Sequence, residues 1–206
     1  RSTTSDHIAG RGGIFLDVEW SHDSNNLAFV SSSRDHKIAQ LRVADIENGE
    51  VRDVFTESVE TYFESGFSDK NWRVLHDDNE FIWFSEQDNW AHLYLHNLET
   101  GELKQRITTG NWSVLDVEKV DALNRKLYFT AANREPGDPY FHYLYRINFD
   151  GSELELLTPE PAHHMITWSD SGNYFTDIYS TPTQPAKAVL RNTNGDVLME
   201  LEETDI

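Results

Sequence analysis

Serines are the first residues of this chain that could do chemistry. Ser169 and Ser171 stand in Trp-Ser-Asp-Ser-Gly, which lacks the first glycine of the Gly-x-Ser-x-Gly turn that presents a catalytic serine. The complete pentapeptide occurs nowhere in the sequence. We therefore expect no catalytic residue in this chain and assign both serines to a turn.

Histidines are the second candidates, because imidazole is a common metal ligand. There are nine of them, and the chain has no cysteine, which removes thiolate ligands and disulfides. His163 and His164 are adjacent, so in a strand they would point to opposite faces. His92 and His96 would share a face but lie about 13 Å apart at the rise of a strand. The spacing predicts no metal site, and no motif indicates a cofactor.

The charge balance restricts the partners. Lys and Arg number 17 against 36 Asp and Glu, a net charge of −19, which would repel a phosphate backbone and argues against nucleic acid. This acidity indicates a solvated surface, or a negative potential that gathers cationic ligands such as peptide amino termini. No apolar run approaches 18 residues, so we expect no membrane segment. The polar start without Met suggests processing or excision from something longer.

A repeat organises the chain. Four runs of alternating apolar residues begin at Leu27, Phe81, Leu127 and Tyr174, a period of about 50 residues. Each run is followed by a third strand, a glycine turn and a fourth strand. We expect these turns to be two-residue hairpin loops. The four turns are Asn48-Gly49, Thr100-Gly101, Asp150-Gly151 and Asn194-Gly195.

Four short strands per period are typical of a propeller blade. We predict an all-β chain, a β-propeller fragment of about four four-stranded antiparallel blades within one partial domain, 1–206. The blades are expected at 14–58, 66–109, 114–158 and 163–203. A sandwich would give similar strands but has no reason to repeat its turns at this period. Trp20 and Trp168 occupy equivalent places, which favours packing between blades over a platform for sugars or bases.

Two aromatic-rich stretches carry a family resemblance. Residues 81–95, Phe-Ile-Trp-Phe-Ser-Glu-Gln-Asp-Asn-Trp-Ala-His-Leu-Tyr-Leu, precede Thr-Gly-Asn-Trp-Ser-Val at 109–114. In this order they resemble the N-terminal propeller of the dipeptidyl peptidase IV family, which are prolyl oligopeptidase-type serine peptidases. Residues 33–37, 41–45 and 60–66 resemble its bacterial members.

The resemblance implies an eight-bladed propeller that caps an α/β-hydrolase domain. Together they would release dipeptides after a penultimate proline or alanine. This chain would be the C-terminal half of the propeller. The hydrolase domain would follow Ile206, and the glutamates that hold the substrate amino terminus would precede Arg1. The family's usual setting favours a periplasmic or secreted protein.

Three candidate substrate-binding residues follow from the same resemblance. Gly66-Phe67-Ser68 aligns with a loop that lines the far end of the family's substrate pocket, where a phenylalanine can be followed by an arginine. Here Ser68 replaces that arginine. Phe67 would offer an apolar wall to a peptide side chain, or would anchor the link between two blades. Glu64 would contact a cationic substrate group, or is a solvated acid.

The expected function is therefore a non-catalytic propeller segment that walls the substrate chamber and helps to select and position peptides. Its partners would be a peptide substrate and the hydrolase domain of the same parent chain. Open blade edges would also allow a homodimer. One alternative is a stand-alone TolB-like propeller for protein–protein binding. Another is a propeller glycosidase or lactonase, which needs paired carboxylates or a metal facing the channel.

Overall fold

The computed structural model describes residues 7–8, 10–11 and 14–15 by their backbone, and residues 18–63 and 70–204 in full. Nineteen strands and one 3₁₀ turn, His76–Asp78, occur in these residues. The strands are β1 (His7–Ile8), β2 (Gly10–Arg11), β3 (Ile14–Phe15), β4 (Val18–Trp20), β5 (Asn26–Ser32), β6 (Ile38–Asp45), β7 (Val51–Ser58), β8 (Arg73–Leu75), β9 (Glu80–Ser85), β10 (His92–Asn97), β11 (Leu103–Arg106), β12 (Ser113–Asp121), β13 (Lys126–Ala132), β14 (Tyr143–Asn148), β15 (Glu155–Leu156), β16 (His163–Trp168), β17 (Tyr174–Thr181), β18 (Gln184–Asn192) and β19 (Val197–Glu203).

These strands form four sheets in chain order. The second, third and fourth sheets are four-stranded meanders, β8 to β11, β12 to β15 and β16 to β19. The first sheet runs through β5, β6 and β7, and its first position is shared by β1 and β4, which both pair with β5. The strands β2 and β3 pair separately. This architecture confirms the predicted all-β fold, a propeller fragment of four blade sheets.

Residue contacts divide the chain into two compact units. The first unit comprises Arg1–Gln87 and Leu93–Arg106, and the second comprises Asp88–His92 and Ile107–Ile206. In the first unit, Ala28 and Val30 of β5 and Leu41 of β6 share one buried cluster with Phe81 and Trp83 of β9. The alternating strand pattern therefore buries one face of the first sheet against the second.

The second unit has an equivalent contact between its two sheets. Tyr128 and Leu144 of the third sheet pack with Phe175 of the fourth, and Trp168 lies against this cluster. The ring of Trp168 meets Tyr128 edge-on at 5.0 Å, and the ammonium group of Lys119 lies within 5 Å of both ring centroids. Trp168 thus packs between sheets as its repeat position predicts, whereas Trp20 is 53% exposed.

The glycine turns are longer than predicted. Asp45 N donates to Glu50 O and Asn97 N to Glu102 O, which closes four-residue loops. The later loops, closed by Asn148 with Ser152 and by Asn192 with Asp196, have three residues. In each, the glycine takes a positive φ of 73–85° as the last loop residue. A turn followed by a left-handed residue is the usual alternative to a two-residue hairpin.

The fourth repeat is also offset by one residue from its predicted start. Asp121 pairs with Lys126 across the first turn of the third sheet, and Ser169 N bonds Tyr174 O at the same place in the fourth. Leu127 therefore corresponds to Phe175 rather than to Tyr174. The burial agrees, since Leu127 and Phe175 are enclosed while Tyr174 is exposed.

Candidate functional site

The link between the first two sheets, residues 59–72, holds all three predicted substrate-binding residues. Because strand direction alternates, this link and the β5–β6 loop leave the first sheet at the same end. Val59 N donates to Lys37 O at 2.9 Å, and Phe63 N donates to His36 O at 2.6 Å. The Tyr62 ring stacks on His36 at 4.7 Å. The first part of the link therefore packs along that loop.

Glu64, Phe67 and Ser68 lie outside the described residues, so their substrate-binding roles stay predictions. The residues on either side of them are anchored. Phe63 is buried and stacks on Trp83 at 5.7 Å. On the other side, the Lys70 ammonium donates to Val18 O at 3.2 Å and lies 3.5 Å from the Glu19 carboxylate.

A half-buried carboxylate lies close to the first of these anchors. Trp83 Nε1 donates to Glu57 Oε2 at 2.5 Å, and Ser85 Oγ donates to Oε1 at 2.6 Å. Burial raises the pKa of Glu57, and the two hydrogen bonds oppose that shift only in part. Glu57 thus fixes the Trp83 ring on which Phe63 stacks. Glu57 therefore supports the link. Each of its carboxylate oxygens already accepts a hydrogen bond from the protein.

The serines of the turns hydrogen-bond to the turn backbone, both where they are buried, as Ser21 is, and where they are exposed, as Ser169 is. Ser21 Oγ accepts from Asn26 N at 2.9 Å and Ser33 Oγ from Ile38 N at 3.0 Å. Ser169 occupies the same kind of turn, where its hydroxyl lies 3.3 Å from Tyr174 N and 3.2 Å from Ser171 Oγ. These partners are turn groups, whereas a nucleophilic serine needs a base as its partner.

Four of the nine histidines show two contrasting environments. His92 uses both ring nitrogens, on Thr108 Oγ1 and Gly110 O at 3.0 Å each. His96 bonds Gly101 O and stacks on Phe81, and burial lowers its pKa. His142 and His163 instead face one another with ring centroids 4.3 Å apart. Desolvation, helped by His163, lowers the pKa of His142 to about 4.

A buried polar cluster in the fourth sheet has the composition of a metal site. Ligand atoms of Glu160, His164 and Asp177 lie within 4.8 Å of one another. Arg191 fills the cation position instead, with Nε 2.9 Å from Asp177 Oδ2 and Nη2 2.7 Å from Glu160 Oε2. His164 Nδ1 lies 2.8 Å from Asp177 Oδ1, and its other nitrogen bonds Glu160 O. The cluster is an ion-pair network that holds three strands and a loop.

The fold and these contacts define a set of propeller blades whose polar clusters support the backbone. The family model of the dipeptidyl peptidase IV N-terminal region matches residues 1–186. The chain therefore belongs to that family. No helix in the described part of the chain is long and apolar enough to cross a membrane.

Several curated relatives are similar along most of the chain. The dipeptidyl peptidase 4 of Arthroderma otae is 24% identical over 212 residues, which cover 91% of this chain and 25% of that protein. A "Probable dipeptidyl-aminopeptidase B" of Aspergillus terreus is 25% identical, with 95% of this chain and 22% of that protein covered. The chain thus spans about a quarter or less of these relatives.

A solved structure shows the same fold. The crystal structure of Porphyromonas gingivalis dipeptidyl peptidase 4 superposes with a TM-score of 0.74 at 20% identity. The similarity covers 90% of this chain and 26% of that one.

Proposed function

We propose that this chain is the non-catalytic propeller portion of a serine dipeptidyl peptidase that releases dipeptides after a penultimate proline. In this role it walls the substrate chamber and helps to select and position peptides. A separate α/β-hydrolase domain of the parent protein supplies the nucleophile. The four blade sheets form one partial propeller domain, with its neighbouring blades elsewhere in the parent.

The observation that carries this proposal is the family match over residues 1–186, together with four sheets that repeat one blade pattern. The lack of a Gly-x-Ser-x-Gly turn in the sequence agrees with a non-catalytic role. The turn-bound hydroxyl of Ser169 agrees with it as well. The anchored link around residues 64–69 is the part of the chain to which we assign peptide contact.

The test compares the full-length parent protein with this chain alone. Both are assayed for release of p-nitroaniline from Gly-Pro-p-nitroanilide. We expect activity in the parent and none in the isolated chain. Activity of the isolated chain would refute its non-catalytic assignment. An inactive parent without a hydrolase domain would refute the peptidase assignment and favour the TolB-like binding module.

The proposed peptide contact is tested in the active parent. Phe67→Ala removes the apolar wall. We expect KM for proline-containing peptides to rise about tenfold while kcat changes little. A tenfold rise corresponds to a loss of about 1.4 kcal/mol of binding free energy. Ser68→Arg restores the arginine that the resemblance implies, and should lower KM. Leu123→Ala, at a turn residue that is 92% exposed, is the matched control. Equal effects of F67A and L123A would remove Phe67 from the site.

A further inference from the structure

Two imidazoles meet where the third and fourth sheets adjoin. His142 immediately precedes β14, and His163 is the first residue of β16. Their ring centroids are 4.3 Å apart with 49° between the ring planes. His164 N donates to His142 O at 3.1 Å, which ties the two backbone segments together beside the rings. The pair is therefore held in place by the sheets.

The nitrogens of this pair are open. His92 and His164 each bond protein groups through both ring nitrogens. His142 and His163 are half-buried, and within the described residues neither ring makes a hydrogen bond. Their ring nitrogens are not fully enclosed by the protein, so solvent can reach them. They consequently keep lone pairs that a ligand from solvent can use.

The separation of the two rings permits one ion to be coordinated by both imidazoles. Imidazole nitrogens bind a transition metal at about 2.0–2.1 Å, so two that share an ion lie roughly 3 Å apart. Rings with centroids 4.3 Å apart can place a nitrogen from each at that separation. The net charge of −19 gives a field that attracts cations. Imidazole ligands favour Ni²⁺, Cu²⁺ and Zn²⁺ over Mg²⁺ or Ca²⁺.

We propose that His142 and His163 form a binding site for a divalent transition-metal ion, with water completing the coordination sphere. The site is distinct from the Glu160–His164–Asp177 cluster, where the Arg191 guanidinium already supplies the positive charge. It joins the loop before β14 to the start of β16. A bound ion would therefore link the third and fourth sheets.

The first experiment titrates the untagged chain with Ni²⁺ alone by isothermal calorimetry. We expect one ion per chain. Loss of an outer-shell partner typically weakens metal binding roughly 10- to 100-fold. His142→Asn and His163→Asn each remove a direct ligand, so each should weaken Ni²⁺ binding by more than that. His22→Asn, at an exposed turn residue, is the matched control and should bind as the unmodified chain does. No binding, or equal binding by all variants, would overturn the proposal.

A second measurement needs no substitution and remains decisive if a variant fails to fold. Ni²⁺ is paramagnetic, so it broadens the proton NMR signals of the imidazoles that hold it. Selective broadening of the His142 and His163 ring signals at substoichiometric Ni²⁺ supports the site. Broadening that starts at other histidines would show that the pair is a packing contact only.

Discussion

Arg191 shows how the buried charges of this chain act. Its side chain is 2% exposed and bonds Asp177, Glu160 and the carbonyl oxygen of Gly195. A buried charge is tolerated only when it is paired and hydrogen-bonded, and these partners meet that requirement. Because Gly195 lies in the last turn of the sheet, the arginine also fixes that turn. The network is therefore expected to stabilise the fourth sheet.

Arg191→Met tests this role. The substitution leaves the Asp177 and Glu160 carboxylates without their counter-charge, and breaking a buried pair typically costs about 3–5 kcal/mol. Urea denaturation of R191M should show a loss of that size in the free energy of unfolding. Arg42→Met is the control, because its partner Asp53 is 65% exposed and such pairs contribute about 1 kcal/mol or less. Equal losses in the two variants would contradict the network.

The Glu57 carboxylate predicts a pH dependence. Burial raises its pKa in the folded chain above the ordinary 4.5 of a glutamate. At a pH between 4.5 and this raised pKa, the folded chain therefore binds more protons than the unfolded chain. The contribution of Glu57 to stability is therefore full below about pH 4.5 and is lost as pH rises through the raised pKa.

Glu57→Gln should remove this dependence, because the amide stays neutral. We compare the free energy of unfolding of E57Q with that of the unmodified chain at each pH. The difference should favour E57Q more at pH 7 than at pH 4. Urea denaturation at both pH values measures the difference. Glu47→Gln, at an exposed loop position, is the control. A pH profile that is unchanged in E57Q would exclude Glu57 as its source.

These residues could be predicted from the sequence only in part. That His163 and His164 point to opposite faces follows from strand geometry, and the structure shows it, since one meets His142 and the other Asp177. Their partners could not be predicted. Asp177 and Arg191 lie 13 and 27 positions beyond His164, and they come together only through the pairing of β16, β17 and β18. No local spacing encodes such a meeting.

At the scale of elements, one contact recurs between adjacent sheets. Arg52 of the first sheet donates to Leu98 O and Glu99 O in the last loop of the second sheet. Arg146 of the third sheet donates to Thr193 O in the last loop of the fourth. The glycines that end these loops lie against backbone of the preceding repeat: Gly101 against Val54 in β7, and Gly195 against Leu157, the residue after β15. Each loop therefore docks on its neighbour through an arginine and a glycine.

Two glycine substitutions separate docking from backbone conformation. Gly49 and Gly101 have nearly equal φ, 74° and 73°, so alanine at either costs about 1–2 kcal/mol for the left-handed conformation. A Cβ at Gly49 meets nothing, whereas one at Gly101 overlaps the Val54 carbonyl. We expect G101A to lose a further ~1–3 kcal/mol of unfolding free energy in urea. Equal losses would mean that the loop does not need this close approach.

The elements were more predictable than their loops. Short runs rich in apolar and β-branched residues on both sides of each glycine turn suffice to predict the hairpins. The loop length depends on side-chain acceptors instead. Asn97 Oδ1 accepts from Glu99 N and Thr100 N, and Asp45 Oδ1 accepts from Glu47 N. These bonds stabilise a four-residue loop where the dipeptide alone suggests a two-residue turn.

At the scale of the whole chain, the acidic surface opposes folding. A net charge of −19 on 206 residues means that compaction brings like charges together. The exposed ion pairs, such as Lys187 with Glu200, offset little of this repulsion. The cost should depend on ionic strength, because the Debye length falls from about 30 Å at 0.01 M to about 3 Å at 1 M salt.

NaCl should therefore raise the thermal unfolding midpoint of the chain at pH 7.5. For a chain of this size, each kcal/mol of relieved repulsion corresponds to about 2–4 °C. The same titration near the isoelectric point of 4.7 is the internal control, since the net charge vanishes there and the salt effect should vanish with it. A midpoint that falls with NaCl at pH 7.5 would mean that specific ion pairs, such as those of Arg191, outweigh the repulsion. In that case the acidic residues would have to be arranged next to the few cations rather than spread over the surface.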